Sequence, residues 1–505
     1  MQKHAFVAKS DNMSENSLKT KAVSGMIWTA VQKYSTMGIS FVSGIILARL
    51  LTPYDYGCIG MLTIFMTIAA SFVDGGFASA LIQKKRPTQE DYSTVFYWNM
   101  SVSLLMYFVL YLCAPAIARF YKIPLLSSVL RVQGLVLIIN AVTIIQSNQL
   151  RKQFRFKKIA IVTILTSIIS LIVTIILAYK GLGVWALVTQ NIITAFIPSV
   201  IYWLTNRWRP LLLFSKKSFR ELFSFGFYMF MTHFVTNISS SIQGLLIGKV
   251  YSPATMGFYS KAHGTELLAS KSISDVMTQV TYPLYAEVQD DRDRLIFMIK
   301  RLTTTLAYLT FPMMFILLLL AKPIFVLLYS ERWLPCVPYF QILCIAGLAI
   351  CLQAVNMQAI SAVGKSKIMF TWTLIKRIFG MTCIVGGLFL FGIKGLLCGM
   401  VINSWFAYLV NVWLVSKHIG YKFWRQMLDI LPIMLLAVSV AIVGYLFNLF
   451  SPLSMYVNAV IVLLLYVLIY VGGSVLFKLE AFQYSKEFVP MLFSKLKRNK
   501  MKKKA

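Results

Sequence analysis

The sequence predicts an all-α polytopic membrane protein of about fourteen transmembrane helices, built as two pseudo-symmetric six-helix lobes with a C-terminal helix pair. Three features point there. Apolar runs long enough to cross a bilayer recur along the chain, one phrase is stated twice, and basic residues gather in alternate loops.

Hydrophobic residues make up 58% of the 505 positions and charged residues 13%, and the mean hydropathy is +0.73. Soluble domains are nearer a quarter charged, so most of this chain must face lipid or other helices. Each run needs about twenty residues to cross a hydrocarbon core of roughly 30 Å. The expected spans are 23–47, 60–82, 93–114, 124–147, 159–179, 184–204, 222–247, 257–280, 302–320, 336–360, 369–391, 396–416, 429–449 and 454–477. Trp28, Trp98, Trp185, Trp203, Trp208, Trp333 and Trp424 fall near their ends, where interfacial anchors belong.

The net charge of +32 could suggest nucleic acid, but its distribution points to a bilayer. With the N-terminus inside, about 37 of the 49 Lys and Arg fall in the cytoplasm and about 9 on the other side. That asymmetry predicts cytoplasmic N- and C-termini, with the Lys-rich tail drawn to anionic headgroups. Residues 1–21 are polar, with no apolar core ahead of a cleavage site, so they read as a cytoplasmic tail. Seven Cys without a C-x-x-C read as small packing residues, not as a disulfide or metal framework.

The repeated phrase is Arg49-Leu-Leu-Thr-Pro53-Tyr-Asp-Tyr-Gly57, answered by Lys249-Val-Tyr-Ser-Pro253-Ala-Thr-Met-Gly257. The echo runs back up the preceding span: Lys33, Thr36, Ser40 and Ser43 match His233, Thr236, Ser240 and Gln243. Weaker echoes pair Asn140-Ala-Val-Thr143 with Gln353-Ala-Val-Asn356, and Lys180-Gly-Leu-Gly183 with Ile393-Lys-Gly395. Internal duplication in a chain this apolar marks a two-lobed transporter. The expected organisation is an N-lobe at 22–205, a cytoplasmic linker at 206–221 and a C-lobe at 222–417. The last pair of spans with its preceding loop covers 418–477, and a basic cytoplasmic tail covers 478–505.

A charge at the bilayer centre costs about 2.5–3.5 kcal/mol on insertion scales, so it needs a partner or a wet cavity. Thr29, Lys33, Thr36, Ser40 and Ser43 recur every three or four residues and form one stripe. The seventh span carries the counterpart: His233, Thr236, Asn237, Ser240 and Gln243. Facing each other, the stripes would line a central cavity. Helix packing is the plainer reading for the hydroxyls, whereas Lys33, near mid-span, favours the cavity. Glu266, Lys271 and Asp275 share the eighth span. Lys271 and Asp275, four apart, either neutralise each other or serve a substrate or ion. Asp74, beside Gly75 and Gly76, is a protonation candidate or the salt-bridge partner of Lys33.

No nucleophile elbow, zinc-protease motif or Walker loop is present. Asp291-Arg-Asp293 has a D-x-D form but reads as a solvated helix start. The chain is therefore read as a non-enzyme without cofactor or metal, driven by a proton or sodium gradient or by the substrate's own imbalance. A glycan polymerase would need a large outside loop, which the spans leave no room for. The runner-up is a cation-coupled multidrug antiporter, with Asp74 as its key carboxylate.

Ile45 to Gly57, then Gly75-Gly76-Phe-Ala-Ser-Ala-Leu-Ile-Gln-Lys84 and Asn148-Gln-Leu-Arg-Lys-Gln-Phe-Arg-Phe-Lys157, resemble the polysaccharide-transporter branch of the MOP exporter superfamily. The nearest type is the Wzx-like flippase of colanic-acid and teichuronic-acid exporters. That resemblance implies a V-shaped fold in the bacterial cytoplasmic membrane. It implies flipping of undecaprenyl-pyrophosphate-linked oligosaccharide for surface polysaccharide biosynthesis, by alternating access. Lys33, His233 and Lys271 would hold the pyrophosphate. Thr36, Ser40, Thr236, Asn237, Ser240 and Gln243 would bond the sugars, and Asp74, Glu266 and Asp275 would carry any coupling ion. A polymerase and a chain-length regulator are the partners it implies.

Overall fold

The structure is a computed structural model describing residues 15–484 and Lys486, so most of the expected tails at 1–21 and 478–505 lies outside the described residues. The first eight helices are α1 (Glu15–Leu50), α2 (Pro53–Asp74), α3 (Phe77–Gln83), α4 (Gln89–Tyr121), α5 (Leu125–Lys152), α6 (Phe156–Tyr179), α7 (Val184–Thr205) and α8 (Lys216–Val250). They are followed by α9 (Pro253–Glu287), α10 (Arg292–Leu319), α11 (Ala321–Tyr329), α12 (Cys336–Ala362), α13 (Ser366–Ile419), α14 (Phe423–Phe450) and α15 (Met455–Leu476). A 3-10 turn, Glu331–Trp333, precedes α12. The apolar runs read from the sequence fall on these helices to within a residue or two at their ends, except that the span expected at 60–82 is broken at Gly75 and Gly76 and divided between α2 and α3. Among the described residues, ten helices are long and apolar enough to cross a membrane.

The repeated phrase turns out to be a helix start. Thr52 caps α2: its backbone N–H donates to the Asp55 carboxylate at 2.9 Å, and the Asp55 N–H donates back to the Thr52 hydroxyl. Pro53 then occupies the first helical position, where its missing N–H costs nothing. In the second copy the Thr255 N–H donates to the Ser252 hydroxyl at 3.2 Å, with Pro253 opening α9. Thr88 and Asp91 repeat the reciprocal cap on α4.

The chain divides into two compact units, 1–257 and 258–505. In the first, α4, α5 and α7 pack together, α6 joins α1 to α7, and α2 lies along α8. The division comes after α8, one helix later than the segment read as the linker, because α8 packs on α2, α3 and α4. Phe77 is buried against Trp98 and Phe219, and Phe72 meets Phe230 and Phe234. Lys84 ties α4 to α8, with its ammonium 3.0 Å from both Asp91 and Glu221. Burial works against that charge, but the two carboxylates outweigh it and raise the Lys84 ammonium above the usual lysine range.

Residues 206–215 are fastened, not slack. The Asn206 amide donates to Gln146 at 2.6 Å and Gln149 at 3.1 Å. The Trp208 indole, itself buried, donates to Gln89 at 2.6 Å. The Leu211 and Ser215 N–H groups reach the hydroxyls of Ser93 and Thr94.

In the second unit α10 packs between α12 and α14, and α15 lies on α14. Tyr470 donates to the Tyr308 carbonyl at 3.0 Å, and Tyr466 to that of Ala437 at 2.9 Å, so the last helix pair is bonded into this core. α13 leaves helical geometry at Phe391 and Gly392 (φ 64°) and returns as a second arm, which gives the two spans expected at 369–391 and 396–416. Gly387 and Gly395 bring the arms to backbone contact: a Cβ on either would lie within 2.2 Å of the other's carbonyl oxygen. At the far end, Lys300 on α10 pairs with Asp429 at 3.3 Å and Glu480 at 2.9 Å.

Candidate functional site

A cavity of about 400 Å³ opens within the first unit, between α5 and the α2–α3 break. Its α5 wall carries Asn140, Thr143, Ser147, Asn148 and Arg151. Asn140, Thr143, Ser147 and Arg151 are spaced by three or four and share one helical face, with Asn148 beside Ser147 on its flank. Opposite them stands Asp74, the last residue of α2. Gly75 and Gly76 follow in left-handed conformation (φ 52° and 73°), so α2 stops there and α3 begins. A side chain at Gly76 is excluded twice over, since its Cβ would lie 2.1 Å from the Gly226 carbonyl oxygen of α8.

The lining mixes these polar groups with Ala70, Val73, Ala78, Leu137 and Ile144. Asn148 is 5% exposed, and its amide nitrogen has no hydrogen-bond partner among the described residues. Thr143 donates to the Ile139 carbonyl of its own helix, which leaves its oxygen open as an acceptor. Asp74 and Arg151 make no ion pair among the described residues, so the Lys33–Asp74 salt bridge weighed from the sequence is not made. His233 on α8 is exposed. A carboxylate, a guanidinium, amides and hydroxyls around one space suit a polyhydroxylated or phosphorylated guest, and none of them is an activated nucleophile.

The other predicted residues fall in several places. Asn237 donates to Ser71 of α2 at 3.0 Å, one turn from Asp74, so this part of the α8 stripe turns to α2. Ser240 is exposed and donates to the Asn237 carbonyl, while Gln243 is buried with an unpartnered amide oxygen. Lys33 and Thr236 are half-buried, and each has a partner. Thr36 bonds back to the Gln32 carbonyl at 2.8 Å, and Ser40 is exposed. Farther along α1, Ser43 is buried and accepts from Gln190 of α7.

In the second unit Glu266 is 2% exposed, and one carboxylate oxygen lacks a hydrogen-bond partner among the described residues. It lies against Gly347 of α12, where a Cβ would come within 2.7 Å of it. Asp275 is half-buried and partnered. Lys271 is exposed and makes no ion pair among the described residues, so of the two readings weighed for Lys271 and Asp275 the mutual pair is not made.

Sequence reasoning missed the α5 face as a site. Its signal was present, because Asn140, Thr143, Ser147 and Arg151 keep helical spacing, but the residues were read only as a repeat echo and a motif. It also missed two buried lysines, Lys261 and Lys376.

Residues 46–338 match a family described as polysaccharide biosynthesis protein. The chain is 24% identical over 358 residues to the teichuronic acid biosynthesis protein TuaB of Bacillus subtilis, covering 70% of this chain and 74% of that protein. Its fold is similar to that of the lipid II flippase MurJ in an inward closed conformation. The TM-score is 0.72 at 16% identity, over 90% of this chain and 99% of that one. It is also similar to an inward-facing multidrug resistance MATE transporter of the MOP superfamily. There the TM-score is 0.61 at 15% identity, over 78% of this chain and 98% of that one.

Proposed function

The chain belongs to the polysaccharide biosynthesis protein family, within the polysaccharide-transporter branch of the MOP superfamily, and we propose that it flips undecaprenyl-pyrophosphate-linked oligosaccharide units across the bacterial cytoplasmic membrane. The observation that carries this reading is the polar stripe of α5 opposite Asp74, bordering an open cavity of about 400 Å³. A sugar hydroxyl placed unbonded in hydrocarbon costs about 4–8 kcal/mol. Asn140, Thr143, Ser147 and Asn148 offer the replacement hydrogen bonds, and Arg151 offers a cation for phosphate. The lipid tail would remain in the bilayer throughout.

Both MurJ and the multidrug transporter share the fold, so fold alone does not choose the cargo. The family match and the open Arg151 favour an anionic glycolipid over a cationic drug. In this reading Lys33, His233 and Lys271 extend the polar path, and Asp74, Glu266 and Asp275 are the groups able to couple it to protons or sodium. Both termini lie in the cytoplasm, the lobes at 22–205 and 222–417 alternate in access, and the product passes to a polymerase and its chain-length regulator.

The test depletes the protein and sorts lipid-linked oligosaccharide by leaflet with a membrane-impermeant glycan label. Intermediate trapped on the cytoplasmic leaflet, with surface polysaccharide lost, supports the reading. Normal labelling at the outer leaflet overturns it for that glycan.

A further inference from the structure

α13 carries two adjacent cations, Lys376 and Arg377, that the transport reading does not use. Neither α12 nor either arm of α13 contains a single Asp or Glu. Lys376 is 8% exposed, and its ammonium meets a neutral partner, the Asn411 amide oxygen of the returning arm, at 2.8 Å. Arg377 is half-buried and makes no hydrogen bond or ion pair among the described residues.

Several other cations that lie within or beside helices have a partner of their own. Lys84 and Lys300 sit on carboxylates, Lys249 on a carbonyl and a ring, and Arg131 over Tyr111. Arg377 lies nine residues into the candidate span that begins at Ile368, roughly 14 Å along the helix. A guanidinium does not shed its proton in a protein, so its charge persists wherever it is placed. A net double positive charge without a carboxylate therefore calls for an anion from outside the protein.

We propose that Arg377, backed by Lys376 and Asn411, is a binding site for a phosphate group carried by a lipid. The planar guanidinium matches two phosphate oxygens at once. Lys376, fixed by one bond to Asn411, adds charge behind it and keeps further N–H donors for the phosphate. The neighbouring Ile375 and Ile378 are exposed on the helix surface, which favours a phosphate presented from the bilayer over one dissolved in water. The site rests on this charge balance. Only the identification of the guest with the transported lipid rests on the flippase reading.

Native mass spectrometry of the purified full-length protein tests it, with undecaprenyl diphosphate and phosphatidylglycerol titrated separately. Wild type, Arg377→Gln and Arg377→Lys are compared, with thermal melts showing that each is folded. Loss of about tenfold or more in undecaprenyl diphosphate binding by Arg377→Gln, with partial retention by Arg377→Lys, is the expected result. If phosphatidylglycerol binding falls instead, the site stands and its guest is a bulk headgroup. Equal binding of both lipids by wild type and Arg377→Gln overturns the proposal. The leaflet assay judges the flippase reading separately, so the two can fail independently.

Discussion

Gly57 and Pro253 meet so closely that a Cβ built on the glycine would lie 1.8 Å from the proline carbonyl oxygen. The relation is reciprocal, since a Cβ on Gly257 would lie 1.9 Å from the Pro53 carbonyl oxygen. Each copy of the repeated phrase thus supplies the glycine that the other copy's proline packs on. Gly57→Ala and Gly257→Ala should each cost about 1–3 kcal/mol through overpacking, and by similar amounts. Gly38→Ala, with nothing within 4 Å, is the matched control. Thermal melting of the purified variants reads the difference, and equal melting of all three would remove the contact's significance.

Asn148→Leu replaces a buried amide with an isosteric apolar group on the cavity wall. Stability should be kept or improved, because an unpartnered polar nitrogen is removed. Export should fall by about tenfold, the equivalent of roughly 1.4 kcal/mol of lost guest binding. Surface polysaccharide normalised to membrane-inserted protein is the measurement.

Asp74→Asn keeps the shape of the α2 terminus and removes its charge. Export should drop and become insensitive to an imposed proton or sodium gradient if Asp74 carries the coupling ion. Glu266→Gln is the parallel experiment in the second unit. Gradient jumps in proteoliposomes containing lipid-linked oligosaccharide separate the two, because only the coupling residue abolishes the response.

Lys33→Ala should sharply reduce export while the protein still inserts, since Lys33 is the cation of the α1 stripe. Wild-type export by that variant would exclude it from the transport path.

Glu480 sits on Lys300, whose ammonium holds its carboxyl below the usual glutamate range. The contact is therefore complete above the unfolded value of about 4.3 and is lost as pH falls through the lowered folded value. Hydrogen exchange of residues 478–484 should stay protected at neutral pH and accelerate at the acid end. Glu480→Gln should show the fast exchange at every pH.

Much of the fold was legible because each step depends on local composition. Apolar length placed the helices, but the Thr52 and Ser252 starts open α2 at Pro53 and α9 at Pro253, ahead of the spans expected from 60 and 257, because a cap is a local hydrogen bond that apolar length does not register. Periodicity also found the faces bearing Lys33 and His233. What it could not give is the neighbour each face meets, because helical spacing defines a direction on one helix and not the helix beyond it. Thus Asn237 bonds Ser71, and Ser43 is met by Gln190, contacts set by tertiary packing. Lys376 and Arg377 were hidden differently: near the start of an apolar run they look like flanking charges, and only the second arm of α13 reveals that Lys376 is buried. Asn206 and Trp208 looked like connector residues until their bonds to Gln146 and Gln89 appeared.

The reciprocal seat of Gly57 on Pro253 and Gly257 on Pro53 is the contact that two identical chains make about a twofold axis. A half-length ancestor pairing with its own copy would form both seats from one Pro-x-x-x-Gly phrase. In the fused chain the two seats remain tied to each other, since each glycine faces the other copy's proline carbonyl. There, a bulkier residue in one half has to be answered by a retreat of the backbone in the other.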